Sequence, residues 1–203
     1  MPANPQDFHA RALAASIHDG RLAVPDIASW DIFPFEADGL RTVELQPPVV
    51  PEPPRGGEGD RPCWVCEHAN DNVVWRNEHW RLRTSGDPSG APLVLLFDPV
   101  EHLDIGDLPD KQAAELGVLL VHVTRAVEAL PHIARAHIYR LGDGGAHAHV
   151  WIFARPEGQL QLKGSCFVLW DDVLPPTPLA ERDADAATVA RALAASYGGT
   201  ASA

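Results

Sequence analysis

The chain has 203 residues, of which 45% are apolar and 22% are charged, an ordinary balance for a globular protein of one medium domain or two small ones. Its formal net charge of −12 argues against a polymeric nucleic acid as partner, because such binding depends on clustered lysine and arginine. A mononucleotide is still compatible, since backbone N–H groups can hold a small phosphate. There is no apolar run long enough for a membrane span and no secretory pattern at the N-terminus, so we expect a cytoplasmic protein without a membrane partner.

The first part of the chain predicts an arm followed by a linker. Residues 6–18 carry apolar side chains at helical spacing and predict a short amphipathic helix. Several aromatic residues lie between Trp30 and Phe35, and we expect the arm over residues 1–46 to pack on the main domain. Residues 47–62 are rich in proline, glycine and charge, and this composition predicts a linker because it does not build a core.

The pattern from residue 63 onward predicts strands on both sides of one long helix. The helix is predicted over residues 110–130, where apolar residues recur every three or four positions until Pro131 ends it. The predicted strands are residues 73–75 and 79–83, which form a hairpin, then residues 92–97, 134–141, 159–162 and 166–170.

These elements predict an α+β domain with a mostly antiparallel sheet of about five strands packed with the long helix. We place this domain at residues 63–160, with residues 161–203 completing it. Residues 183–197 predict a closing helix, and the small residues after it predict a disordered tail.

Two of the three cysteines form the motif Cys63-x-x-Cys66, a spacing that lets two thiolates share one metal ion. Two more ligands are then needed. Among the ten histidines, His102 follows the predicted buried strand, and His147 begins a later strand that would lie near it. The alternative is that the cysteines are a reduced pair that contributes only packing.

The stretch from Gly142 to Phe153 joins a glycine-rich turn to an alternating segment. In a strand, His147, His149 and Trp151 form one row, because residues two apart point to the same face. Two imidazoles beside exposed backbone N–H groups are unusual on a packing surface. We therefore predict an active site here.

The order of elements, the cysteine pair and the run His147-Ala148-His149-Val150-Trp151 together resemble the histidine triad superfamily, whose signature is His-x-His-x-His with apolar residues between. The likeness covers about half of the chain and is strongest to the zinc-containing branch that includes relatives of galactose-1-phosphate uridylyltransferase. The resemblance implies a structural zinc on Cys63, Cys66, His102 and His147. It also implies a nucleophilic His149, a nucleotide or nucleotide-conjugate substrate, and pairing into a homodimer.

The resemblance implies that the chain is a nucleotide hydrolase or nucleotidyltransferase. It would act at the α-phosphate through a nucleotidyl-His149 intermediate. The turn residues Gly142, Asp143, Gly144 and Gly145, together with Arg140, are then the candidates for phosphate or nucleotide binding.

The sequence departs from the family at the third motif position. Trp151 stands where the family has histidine, or glutamine in the transferase branch, and an indole cannot shuttle a proton. This departure motivates an alternative, a zinc-stabilised nucleotide-binding protein without turnover. A third interpretation is a metal-folded interaction module whose linker and aromatic arm engage a protein.

The segment 164–172 lies beyond the family core and leaves two interpretations open. It is either an edge strand with a turn or a wall of the substrate pocket, with Trp170 stacking on a ring and Asp171 or Asp172 binding hydroxyls or an amine.

Overall fold

The computed structural model describes residues 46–172 and 174–202 continuously and, before them, residues 10, 13, 14, 17, 21–24, 26–30, 33–36, 38–40 and 42. The chain divides into two compact units, Met1–Pro53 and Pro54–Ala203. Most of the helix predicted over residues 6–18 lies outside the described residues. The predicted linker, residues 47–62, spans the division, and the part from Pro54 onward belongs to the second unit.

In the first unit, a short 3-10 turn covers Asp26–Ser29. Farther along, the Thr42 hydroxyl donates to the Leu22 carbonyl at 2.6 Å, and the Arg21 guanidinium donates to the Thr42 carbonyl at 2.7 Å. Phe33 and Phe35 meet edge to face. The packing of this arm on the main domain stays a prediction.

A six-stranded antiparallel sheet forms the centre of the second unit. Its strands, in chain order, are β1 (Val73–Arg76), β2 (Trp80–Thr84), β3 (Leu93–Pro99), β4 (Ile133–Tyr139), β5 (Val150–Pro156) and β6 (Thr200–Ala201), and they lie side by side in the order β4-β5-β3-β2-β1-β6. The Asn77 side chain closes the predicted β1–β2 hairpin, because its oxygen accepts from the backbone N–H groups of His79 and Trp80. The continuous apolar run predicted a central strand, and β3 lies between β5 and β2.

Two long helices cover one face of the sheet. The helices of the second unit are α1 (Trp64–Glu67), α2 (Asp110–Glu128), α3 (Phe167–Asp171) and α4 (Leu179–Tyr197). Strand alternation turns one set of side chains toward α2 and α4, and this core includes Leu82, Leu95, Phe97, Leu119, Val123, Ile152, Val189 and Leu193. The predicted α+β class is confirmed. The opposite face carries polar groups and a second, smaller apolar cluster that includes Val94, Phe153 and Phe167.

Three predicted features differ from the structure. The sheet has six strands and not about five, because the tail predicted to be disordered forms β6 and pairs with β1. Residues 159–162, predicted as a strand, form turns after Gly158, whose φ is +77°. Residues 166–170 are mostly helical in α3 and not an edge strand, since a helical turn buries Phe167 while leaving Leu169 exposed. A short apolar run does not distinguish a strand from a buried helical turn.

None of the helices in the described part of the chain combines the length and the apolar character needed to cross a bilayer.

Candidate functional site

The fold brings Cys63, Cys66, His102 and His147 into one cluster, in which one ligand atom of each residue lies within 4.8 Å of the others. Cys63 immediately precedes α1 and Cys66 lies within it, so one helical turn aims both thiols to the same side. His102 follows β3, and His147 comes three residues before β5. The sequence singled out these four residues, and the structure places them together.

The distances within the cluster suit a tetrahedral metal ion. His147 Nδ1 lies 3.5 Å from the sulfur of Cys63 and 3.5 Å from that of Cys66, and His102 Nδ1 lies 3.4 Å from the Cys66 sulfur. Zinc bonds of about 2.3 Å to sulfur and about 2.05 Å to nitrogen require a sulfur–nitrogen separation of about 3.6 Å in a tetrahedron. Two thiols and two imidazoles are a donor set that zinc binds, and these three separations are compatible with one tetrahedral metal ion.

The orientation of His147 is fixed by its second ring nitrogen. Nε2 lies 2.9 Å from the Pro99 carbonyl, which can only accept, so Nε2 carries the proton and Nδ1 presents its lone pair to the cysteines. The residue is 1% exposed, and this burial lowers the pKa of the His147 imidazole. A neutral imidazole is the form that binds a metal. Burial also raises the pKa of the Cys66 thiol, with the nearby Cys63 adding to the rise.

Beneath the cluster lies a buried ion-pair network that the sequence analysis missed. Asp98 is 1% exposed and accepts hydrogen bonds from the guanidinium groups of Arg81 and Arg83. Arg81 also donates to the carbonyls of Pro99 and Ala69, so it supports both the carbonyl that orients His147 and the chain that follows α1. The signal in the sequence is a charged residue at alternate positions of an otherwise apolar strand, which puts charge on a single face.

His149 is oriented by a similar backbone contact. Its Nδ1 lies 2.9 Å from the His147 carbonyl, so Nδ1 donates and Nε2 keeps a free lone pair. The ring of Trp151 stands perpendicular to the imidazole, with the two centroids 6.3 Å apart. Both side chains line a cavity, although only Trp151 lies in β5, which begins one residue after His149.

This cavity has a volume of about 760 Å³. It lies against the cysteine–histidine cluster, because Cys63 and His147 form part of its wall. Asp143, Gly144 and Gly145 of the glycine turn also line it. Trp64, between the two cysteines, is 54% exposed on the cavity wall, and its ring stacks on His68 with a centroid distance of 4.6 Å and an interplanar angle of 18°.

The other two predicted phosphate-binding residues lie outside the set that lines this cavity. Arg140 donates to the Asp104 carboxylate at 2.8 Å. The Gly142 carbonyl accepts from Arg55 at 2.9 Å. Both residues therefore contact the segments behind the turn, where they support its position.

Segment 54–62 lies beside the same turn. Gly56 forms a parallel bridge with Gly145: the Gly56 N–H donates to the Gly144 carbonyl at 3.2 Å, and the Ala146 N–H donates to the Gly56 carbonyl at 2.9 Å. The prediction of a linker over residues 47–62 did not anticipate these contacts.

The segment 164–172 contributes to the cavity wall through Val168, Asp171 and Asp172. Asp171 also accepts a hydrogen bond from the Ala91 N–H at 2.6 Å, which ties α3 to the loop before β3. Trp170 packs on a small apolar cluster that contains Phe153 and Phe167.

Comparison with known proteins finds no matching family model and no matching curated protein. Solved structures do resemble the fold. A histidine triad protein from Bradyrhizobium japonicum is 18% identical, over 60% of this chain and 89% of that one, with a TM-score of 0.48. A zinc-bound histidine triad family protein from Mycobacterium smegmatis is 18% identical, over 61% and 84% of the two chains, with a TM-score of 0.44. A uridylyltransferase is 17% identical, over 65% of this chain and 44% of that one, with a TM-score of 0.45.

Proposed function

We propose that the chain is a nucleotide hydrolase or nucleotidyltransferase that acts at the α-phosphate of its substrate, with His149 as the nucleophile. The observation that carries the proposal is the fixed orientation of His149. Its Nδ1 proton is held by the His147 carbonyl, and its side chain lines a cavity large enough for a nucleotide.

The chemistry proceeds in two displacements. Nε2 of neutral His149 attacks the α-phosphorus, and a P–N bond forms. The bond from phosphorus to the phosphate, pyrophosphate or amine leaving group breaks with its electron pair on the leaving oxygen or nitrogen, and a departing amine takes a proton from water. The imidazole then carries positive charge, which the His147 carbonyl stabilises through the Nδ1 proton. Water or an acceptor hydroxyl attacks phosphorus next, loses its proton, and the P–N pair returns to His149.

The glycine turn is the proposed cradle for the phosphate. The charge on the phosphoryl oxygens needs preorganised donors, and we assign this role to backbone N–H groups of Gly144 and Gly145. Open space lies where a Cβ on Gly144 would stand, so a ligand can approach the backbone closely. Asp143 lines the cavity beside them, and Arg140 and Gly142 hold the turn from behind.

Zinc is the metal we propose for Cys63, Cys66, His102 and His147. Bound there, it supplies folding free energy and no chemical step. The four ligands fix the chain at His147, and the carbonyl of that residue is the one that orients His149. The metal centre therefore positions the nucleophile through the backbone.

We assign to Trp64 the role of stacking on an aromatic base of the substrate. One ring face stacks on His68, which holds the indole still. A rigid, half-exposed indole on the cavity wall offers the other face for stacking.

A second candidate function is nucleotide binding without turnover. The observation that favours it is Trp151 beside His149, because an indole N–H donates a hydrogen bond but has no acid–base capacity. Under this alternative, the cavity and the metal centre keep their roles and the P–N bond does not form.

The two functions are separated by incubating the zinc-loaded protein with dinucleoside polyphosphates, nucleoside phosphoramidates and nucleotide sugars, and by measuring both binding and products. We expect turnover by the wild type and by the control His122→Ala. His122 lies in α2, and its Nδ1 is 3.0 Å from the Ser196 hydroxyl of α4. We expect His149→Ala to lose turnover by a factor on the order of 10³ or more. Unchanged turnover by His149→Ala contradicts the nucleophile assignment. Binding without product across the whole panel establishes the alternative.

A further inference from the structure

Gly57 lies against the metal cluster in a conformation that favours glycine. Its φ is +87°, and its N–H donates to the Pro62 carbonyl at 3.2 Å. A Cβ placed on Gly57 would stand 2.6 Å from Cε1 and 3.2 Å from Nε2 of His102, and 3.3 Å from Cβ of Cys63. Two of the four proposed ligands thus fill the space that a side chain at this position would need.

The segment that carries Gly57 is held on both sides. Before it, the Arg55 guanidinium pairs with Glu58 at 2.6 Å and with Asp104 at 2.8 Å, and Asp104 lies two residues after His102. Gly56 is hydrogen-bonded to Gly144 and Ala146 of the glycine turn. Because these contacts anchor the segment, Gly57 cannot retreat from His102 without breaking them.

We propose that Gly57 is a positioning residue of the metal centre, an inference that rests on the zinc site proposed above. The missing side chain lets segment 54–62 close over His102. The backbone of Gly57 then limits rotation of the imidazole and keeps Nδ1 directed at the Cys66 sulfur. Segment 54–62 thereby forms part of the site, joining the metal ligands to the turn that is proposed to bind phosphate.

The proposal predicts a selective loss of metal binding. An added methyl group at Gly57 displaces the His102 ring, which can turn away easily in the metal-free protein but must stay in place to bind the metal. Gly59 offers a matched control, since its φ is +57° and open space lies where its Cβ would stand. Alanine at either position carries the backbone strain of a positive φ, but only alanine at position 57 meets a ligand.

The experiment compares zinc retention by the full-length, zinc-loaded wild type, Gly57→Ala and Gly59→Ala in competition with a chromophoric chelator. We expect Gly57→Ala to bind zinc about 10–100-fold more weakly than the wild type, the usual effect of changing a residue that orients a metal ligand. We expect Gly59→Ala to stay within about threefold of the wild type. Equal zinc affinity of the two glycine variants overturns the proposal. A wild type that retains no zinc removes the metal centre itself, which is a separate result.

A double-variant cycle tests the contact between the added methyl at position 57 and His102. It also keeps the proposal testable if Gly57→Ala folds poorly. With His102 truncated to alanine, the added methyl loses its two closest contacts and keeps only the 3.3 Å approach to Cβ of Cys63. In the His102→Ala background, Gly57→Ala should therefore weaken zinc binding and lower the unfolding temperature no more than Gly59→Ala does. Additive losses on both measurements contradict an action through His102.

Discussion

At the scale of single residues, a different backbone carbonyl orients each of the two motif histidines. Pro99 accepts from Nε2 of His147 and leaves Nδ1 for the cysteines, whereas His147 accepts from Nδ1 of His149 and leaves Nε2 for the cavity. Strand alternation predicted that both rings share a face. The choice of ring nitrogen was not predictable, because it depends on carbonyls whose positions only the fold determines.

Asp98 is the residue whose loss should most disturb the support of the metal site. It is buried between two arginines, and the carbonyls that these arginines bind belong to the chain after α1 and to Pro99. We predict that Asp98→Asn lowers the free energy of unfolding by about 3–5 kcal/mol, because two buried guanidinium groups lose their counter-charge. Urea unfolding measures this change.

The control for this prediction is Asp183→Asn. Asp183 also accepts from an arginine, but its side chain is 60% exposed, so its removal should lower the free energy of unfolding by at most about 1 kcal/mol. Equal effects of the two variants would show that the Asp98 network contributes little to stability.

At the scale of elements, strong periodicity was the reliable signal. The helix predicted over residues 110–130 is α2, and the predicted hairpin and central strand are β1, β2 and β3. Strand β3 was predicted from its continuous apolar run, whereas in the helix and in β2 apolar side chains recur at a single period. The short run at 166–170 has no such pattern, and its helical form follows from packing against Phe153.

The contacts of segment 54–62 could not be predicted from its amino-acid composition. Proline and glycine predict poor core formation, and segment 54–62 indeed adds no residue to the apolar core. Its role depends on hydrogen bonds to residues almost ninety positions later, such as that from Arg55 to Gly142. Long-range pairing of this kind leaves no local signature in the sequence.

The end of the sheet offers a test of how β6 is held. Gly198 and Gly199 both have positive φ, at +104° and +81°. A Cβ on Gly199 would stand 2.6 Å from the buried ring of Trp75 and 2.8 Å from the Arg76 carbonyl, whereas a Cβ on Gly198 meets open space. We predict that Gly199→Ala lowers the free energy of unfolding by at least about 1 kcal/mol more than Gly198→Ala does. Urea unfolding of the two variants measures this difference. Equal decreases in the free energy of unfolding would mean that β6 can move away from Trp75 at no cost.

At the scale of the whole molecule, the two faces of the sheet carry different kinds of group. The face toward α2 and α4 is apolar, and the opposite face carries the buried ion pairs, the cysteine–histidine cluster and the cavity. The proposed metal ligands come from three separate places in the chain, at α1, after β3 and before β5. A bound zinc ion would therefore join parts of the fold that are far apart in sequence.

We predict that Cys63→Ser loses zinc and lowers the unfolding temperature, because a structural metal contributes folding free energy directly. Zinc content by elemental analysis and thermal unfolding check this. Cys166→Ala is the control, because Cys166 is buried beside Phe167 and away from the cluster, so this variant should retain one zinc per chain. A wild type without stoichiometric zinc would contradict the assignment.

The proposed reaction passes through a covalent nucleotidyl-His149 intermediate. The most direct measurement is mass spectrometry of protein quenched at alkaline pH during turnover, since a P–N bond is labile in acid. Cleavage after Arg140 and Lys163 releases residues 141–163, whose only histidines are His147 and His149, because the bond between Arg155 and Pro156 resists cleavage. Fragment ions then locate the added group. We predict a nucleotidyl mass on His149 in the wild type and none in His149→Ala. Turnover without an adduct, or an adduct on His147, would contradict it.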